Sequence, residues 1–218
     1  MRNRRVPGNH NLTFWNESQY AGFPLNSNNL LVREYLEKLD LVTTRSIHDF
    51  PRTLAVLIEL HCDIPTPELS TSNRVLQKFK EALDSRVISY LKRQAAKGRR
   101  IHNAKVRWVW AREQNNSHVP HFHVLLFFNK EVFHRLGDYA PGSRSLLAMI
   151  REAWYSALGI PHNQSPGLVH IPDNATYTLQ PSDQYVSRSA LFKRASYLCK
   201  AYTKRFGNGI QCFGGSTS

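Results

Sequence analysis

The apolar positions of the chain fall into two periods. Thr53 to Leu60 is an almost unbroken apolar run with β-branched content, interrupted only by Glu59 and ended by Pro65 and Pro67. A run of that length predicts a central strand covered on both faces. Trp108 to Glu113 and Pro120 to Phe128 predict two further strands, joined through the polar stretch Gln114 to Val119. Strand side chains alternate between faces, so Phe122, Val124, Leu126 and Phe128 share one side. His121, His123, Leu125 and Phe127 share the other, so this strand also belongs inside a sheet. Helical spacing takes over elsewhere. Leu31, Tyr35, Leu39 and Val42 predict a helix over Asn29 to Arg45, with Asn28 or Asn29 as its N-cap. Val75, Phe79, Leu83, Ile88 and Leu91 predict one over Ser72 to Lys97, stopped by Gly98. Leu146, Leu147, Ile150 and Trp154 predict one over Ser143 to Leu158, stopped by Gly159 and Pro161. Short strands are predicted around residues 168–171 and 175–179, on either side of the turn Pro172-Asp173-Asn174. A last helix, Ser187 to Phe206, carries Leu191, Ala195, Leu198 and Tyr202 as its apolar stripe. Residues 1–28 read as an irregular arm, and Asn129 to Pro141 as a loop or short helix.

At 218 residues this is one domain, or one with an appended arm. Charge changes the picture more than length does. With 29 Lys+Arg against 16 Asp+Glu, the chain carries +13. That balance points to a polyanion partner, nucleic acid first and anionic membrane second. Cys62, Cys199 and Cys212 make an odd set with no Cys-x-x-Cys pair, which fits a reducing cytosol better than a disulfide scaffold. No apolar run approaches the ~20 residues of a membrane span. The basic start, Arg2 to Arg5, lacks the apolar stretch of a signal peptide; a phosphate contact and a loosely ordered terminus are both open readings of it. The same choice applies to the basic turn containing Arg99 and Arg100.

Two constellations carry chemistry. If the hairpin closes at Glu113 and His121, then Ala111 lies opposite His123, and Glu113, His121 and His123 converge on one face. Two imidazoles and a carboxylate form an open metal site; the alternative is a buried hairpin with incidental histidines. Glu59 is either a second carboxylate there or a strand-end residue paired with a neighbouring base. His162 and His170 read as surface or core histidines. The second constellation is a stripe on the last helix, Lys193, Tyr197, Lys200 and Lys204, at steps of four, three and four. Positive charge beside a phenol favours its phenolate. Tyr197 is thus a candidate nucleophile, and Lys200 would steady a phosphate or protonate a leaving oxygen. The alternative is a basic, DNA-facing helix with an incidental tyrosine.

Glu-loop-Pro-His-x-His followed distantly by Tyr-x-x-Lys resembles the HUH endonucleases, with the motif order of the rolling-circle replication initiators. Tyr197 to Lys204 is similar to the Tyr-x-x-Lys-Tyr-x-x-Lys run of microvirus gene A proteins. The chain as a whole, around His118 to Lys130, looks most like the inovirus gene II-type replication proteins of bacterial prophages. The resemblance implies an α+β fold: a central antiparallel sheet of the ferredoxin-like or RRM-like kind, flanked by helices. It implies an N-terminal arm and helix over residues 1–48, an endonuclease domain over 49–206 and a flexible tail over 207–218. It implies Mg²⁺ or Mn²⁺ held by Glu113, His121 and His123, with Tyr197 as nucleophile and Lys200 as its helper. Lys193, Lys204, Arg99 and Arg100 would contact DNA. The activity implied is nicking and rejoining of single-stranded DNA at a replication origin through a 5′-phosphotyrosine link, in the cytoplasm of a bacterial host. No Walker A motif is present, so helicase and polymerase would come from the host, with no membrane involved. The two-tyrosine members place their second tyrosine four residues after the first; here that position is Ala201, and Tyr202 would face the apolar side, which points to a single nucleophile. A non-catalytic single-strand-binding module and a nuclease using water as nucleophile are the competing expectations.

Overall fold

The computed structural model describes residues 4–26, 29–62, 65–114, 119–138, 140, 143–161 and 167–217. The alternative cap Asn28, most of the hairpin loop and His162 lie outside them. The N-terminal arm forms short strands β1 (Arg5–Val6), β2 (Asn9–Trp15), β3 (Gln19–Tyr20), β4 (Phe23–Pro24) and β5 (Leu31–Val32). There follow α1 (Arg33–Asp49), β6 (Thr53–Leu60), α2 (Pro67–Thr71), α3 (Arg74–Ala95), β7 (Arg107–Glu113) and β8 (His121–Asn129). The chain continues through α4 (Leu146–Leu158), β9 (Val169–His170), β10 (Thr176–Leu179), α5 (Gln184–Ala195), a 3-10 turn (Ser196–Cys199) and β11 (Phe213–Gly215). The α+β class is as the sequence implied.

The main sheet runs β10-β6-β8-β7-β11, all antiparallel, with β9 also on β6. Taking β6-α3-β7-β8-α4-β10 as one unit, the strand order is 4-1-3-2, the split βαβ arrangement of ferredoxin-like folds. The alternation on β6 and β8 explains the layers. Val56, Ile58, Val124, Leu126 and Phe128 bury against Phe79 and Leu83 of α3 and Ile150 and Trp154 of α4. Ala55, Leu57, Leu125 and Phe127 bury on the other face with Leu36 and Leu39 of α1 and Leu191 and Phe192 of α5. The histidine face of the hairpin is therefore the α1/α5 face.

Three expectations need correcting. The arm is not irregular: its strands pair, and Val6, Leu12 and Leu25 join the α1/α5 core. The tail read as flexible supplies β11, whose Phe213, Gly214 and Gly215 pair with Ala111, Trp110 and Val109. The last helix stops at Ala195 rather than at Phe206. The reason is tertiary. Ala201 N–H donates to Leu30 O at 2.9 Å, and Lys200 is extended (φ −60°, ψ 144°) and bridges to Leu31. Pairing with the arm takes the place of continued helix. At the other ends the caps are local. Ser145 Oγ accepts from Ala148 N–H at the start of α4, and Gly159 closes it at φ 71°. Helix α1 starts after Val32, without a side-chain cap.

The edge strand lies tight on its neighbour. A Cβ at Gly214 would stand 2.6 Å from Cζ2 of Trp110, a buried ring. Gly214→Ala is expected to lower stability by about 1–3 kcal/mol through overpacking, read from chemical denaturation midpoints.

Candidate metal and tyrosine site

The hairpin register is Glu113 opposite His121 and Ala111 opposite His123, and β6 adds Glu59 opposite His123. These pairs stand at one end of the sheet. One atom from each of Glu113, His121 and His123 lies within 4.8 Å of the others. Glu113 Oε2 is 3.3 Å from His123 Nε2 and 3.8 Å from His121 Nε2. The far nitrogen of His123, Nδ1, is 3.4 Å from Glu59 Oε1. This carboxylate–imidazole contact is the arrangement that fixes the tautomer and orientation of a metal-binding histidine. Oxygen and imidazole donors facing a shared point fit a divalent cation.

Glu59 is a hub. Its Oε2 is also 3.2 Å from His170 Nδ1 and 3.6 Å from His61 Nε2. His61 stacks on His121, ring centroids 5.7 Å apart. Sequence reasoning undervalued Glu59 and His170 and left out His61. The signal was there for two of them: Glu59-x-His61, at the end of β6 and just past it, repeats the alternation of His121-x-His123 on β8. His170 was out of reach, because a two-residue strand carries no pattern.

Glu113 is buried at 1% exposure and would be costly alone. Lys200 Nζ lies 3.0 Å from its Oε2 and Lys204 Nζ 3.5 Å from its Oε1. Lys204 Nζ also donates to the carbonyls of Leu198 (2.8 Å) and Lys200 (2.7 Å). That side chain staples the segment carrying Tyr197 and Lys200 to the carboxylate on β7. Lys204 was expected on a DNA-facing stripe; it is buried instead, because the helix ends early and the chain turns inward. Lys193 remains on α5 and is exposed. Arg99 and Arg100 are exposed but precede the far end of β7, some seven strand residues from Glu113.

Tyr197 is brought to the cluster. Its ring meets His123 edge-on, centroids 5.9 Å apart, and Lys200 Nζ stands 3.4 Å over it. Tyr202 was expected on the apolar side. The break after the 3-10 turn exposes it instead, at 61%, with Lys200 Nζ 5.2 Å from its ring. Its phenol is held above the ordinary range chiefly by a hydrogen bond with Tyr197.

The sequence matches the family described as the YagK/YfjJ C-terminal domain over residues 16–216. The chain belongs to that family. It is 32% identical over 196 residues to the uncharacterized protein YagK of Escherichia coli K12, covering 84% of this chain and 92% of that one. It is 30% identical over 191 residues to the uncharacterized protein YfjJ of the same organism, covering 83% and 92%. No solved structure matches. The family match takes in the β3–β5 strands, the hairpin and β11 together.

The electrostatics give a sign that can be tested. Burial raises the Glu113 carboxyl, but the His123 hydrogen bond and the two lysines outweigh it, and it falls from the ordinary 4.5 to about 2. Glu59 also falls, first through His123 and then His61. Burial lowers His123, but its bonds to Glu113 and Glu59 win and it rises. His121 falls, through burial and then the charge of His123. Depressed carboxylates contribute stability that is present above their unfolded values and is lost as pH falls through their folded ones. For Glu113 the window is pH 4.5 down to about 2. His123 acts oppositely: its contribution is present below 6.5 and is lost as pH rises through its higher folded value. Glu113→Gln should flatten the acid limb of stability against pH, followed by denaturation at stepped pH. Lys204→Met leaves Glu113 less compensated and two carbonyls unpaired. It should cost about 3–5 kcal/mol, measured by the same denaturation at neutral pH.

Proposed function

We propose that this protein is a rolling-circle DNA replication initiator of the HUH type, which nicks and rejoins single-stranded DNA through Tyr197. The observation that carries the reading is the convergence of Tyr197, from the end of α5, on the Glu113/His121/His123 group some seventy positions upstream. The net charge of +13 supports a polyanionic substrate. Glu113, His121 and His123 would hold Mg²⁺ or Mn²⁺, which when bound supplies Lewis-acid polarisation of the scissile phosphate.

The chain's own groups do the rest. The Tyr197 oxygen attacks phosphorus as its phenol proton is lost. The P–O3′ bond breaks, the 3′-oxygen takes up a proton, and a 5′-phosphotyrosine link forms; rejoining reverses each step. Lys200, held against Glu113 and over the Tyr197 ring, fixes the phenol and faces the developing negative charge. Glu59 keeps Nδ1 of His123 occupied, leaving Nε2 for the ion. Exposed Lys193 would meet the backbone of the strand. Among the described residues no helix is long and apolar enough to cross a membrane.

Incubation with labelled single-stranded oligonucleotides and Mn²⁺ should yield a covalent adduct that mass spectrometry assigns to Tyr197. Tyr197→Phe, His121→Ala and EDTA should each abolish it, whereas Tyr202→Phe should retain it. Cleavage without an adduct would show water as the nucleophile, and binding without cleavage would reduce the protein to a single-strand-binding module. Glu59→Gln should weaken Mn²⁺ binding by about ten- to a hundredfold, read by titration calorimetry, with the fold intact.

A further inference from the structure

A cleft of about 310 Å³ opens directly beside Tyr197 and His123. That volume lies at the low end of what small-molecule ligands fill, enough for one nucleotide. Its apolar walls come from Leu57 on β6, Pro172 and Leu198; Asn26 and Arg194 supply new polar groups. Asn26 is set in place by the arm, its main-chain N–H donating to Ser196 Oγ at 2.8 Å. Ser196 is fully buried and in turn donates to Lys193 O at 2.9 Å, so the lip of the cleft is built into the end of α5. Arg194 is exposed one turn before Tyr197.

Resting on the strand-transfer reading above, we propose that this cleft receives one unstacked base flanking the scissile phosphate and gives the nick its sequence preference. The Tyr197 ring offers the face against which an unpaired base stacks, with Pro172 as an apolar wall beside it. Asn26 has what reading a base edge requires: an amide that both donates and accepts, which matches adenine N6 and N7. Arg194 takes the phosphate of the same nucleotide, because a guanidinium binds phosphate oxygens in pairs. A duplex cannot present a base at this depth without extruding it, so the cleft selects single strands. Glu59, already engaged by His61, His123 and His170, forms a boundary of the cleft and is not needed for readout.

The test has two arms. In the first, the four deoxynucleoside 5′-monophosphates are titrated at millimolar concentrations into isotope-labelled protein in EDTA, and amide shifts are followed by NMR. Shifts should centre on residues 26, 57–59 and 194–198, with dAMP the tightest. Arg194→Ala should weaken all four by about fivefold or more, and Asn26→Ala should remove the discrimination among them. Absence of binding, no preference for dAMP, or unchanged affinity in Arg194→Ala overturns the proposal. In the second arm, adduct yield is measured with oligonucleotides varied one position at a time around the nick. A preference at one flanking position that Asn26→Ala flattens supports the cleft; a preference that Asn26→Ala leaves intact overturns it while the strand-transfer reading stands. Nucleotide binding in the cleft with no adduct from any oligonucleotide does the reverse: it supports the binding site and sinks the strand transfer.

Discussion

A single buried carboxylate organises this molecule. Glu113 is removed from water at the end of β7 and is compensated from two directions: two imidazoles from β8 and two ammonium groups from the segment after α5. Each partner is in turn held by something else. His123 is braced by Glu59, and Lys204 grips the carbonyls of Leu198 and Lys200. Charge burial of this kind stabilises little by net energy and is severe when a partner is lost. Its use here is positional, since it ties a distant part of the chain to one point on the sheet.

The arrangement explains why Tyr197 sits where it does. A phenol at the end of a helix could point anywhere on the α1/α5 face. The helix ends at Ala195, the chain passes through a 3-10 turn, and Lys200 pairs with Leu31 of the arm. The arm, often the least ordered part of a chain, thereby fixes the turn that carries the phenol and also supplies Asn26 beside it. Precision at such a site depends on the supporting shell as much as on the reacting groups.

Much of this was legible in the residues. The alternation of His121 and His123 with Phe122 and Val124 dictated which face the imidazoles take, and a hairpin assumed to close at Glu113 and His121 put Ala111 opposite His123, the register observed. The paired central strands followed from apolar runs on both faces. What escaped is long-range. A helical pattern continues through Phe206, but Leu30 and Leu31 compete for the backbone there, and no local signal announces a partner about 170 residues away. The final strand is short and glycine-rich, and it exists because Gly214 fits against Trp110. Lys204 looked like a surface cation because its spacing was read on a helix that had already ended.

The order in which these parts leave the ribosome has a consequence of its own. The β6 and hairpin residues emerge before the rest of the site. The phenol, both lysines and the strand that lines β7 come last, in residues 197–215. A partly made chain therefore holds Glu113 and its imidazoles without the phenol and without the two ammonium groups that compensate the carboxylate, so the buried charge is matched only once that stretch has cleared the exit tunnel and docked.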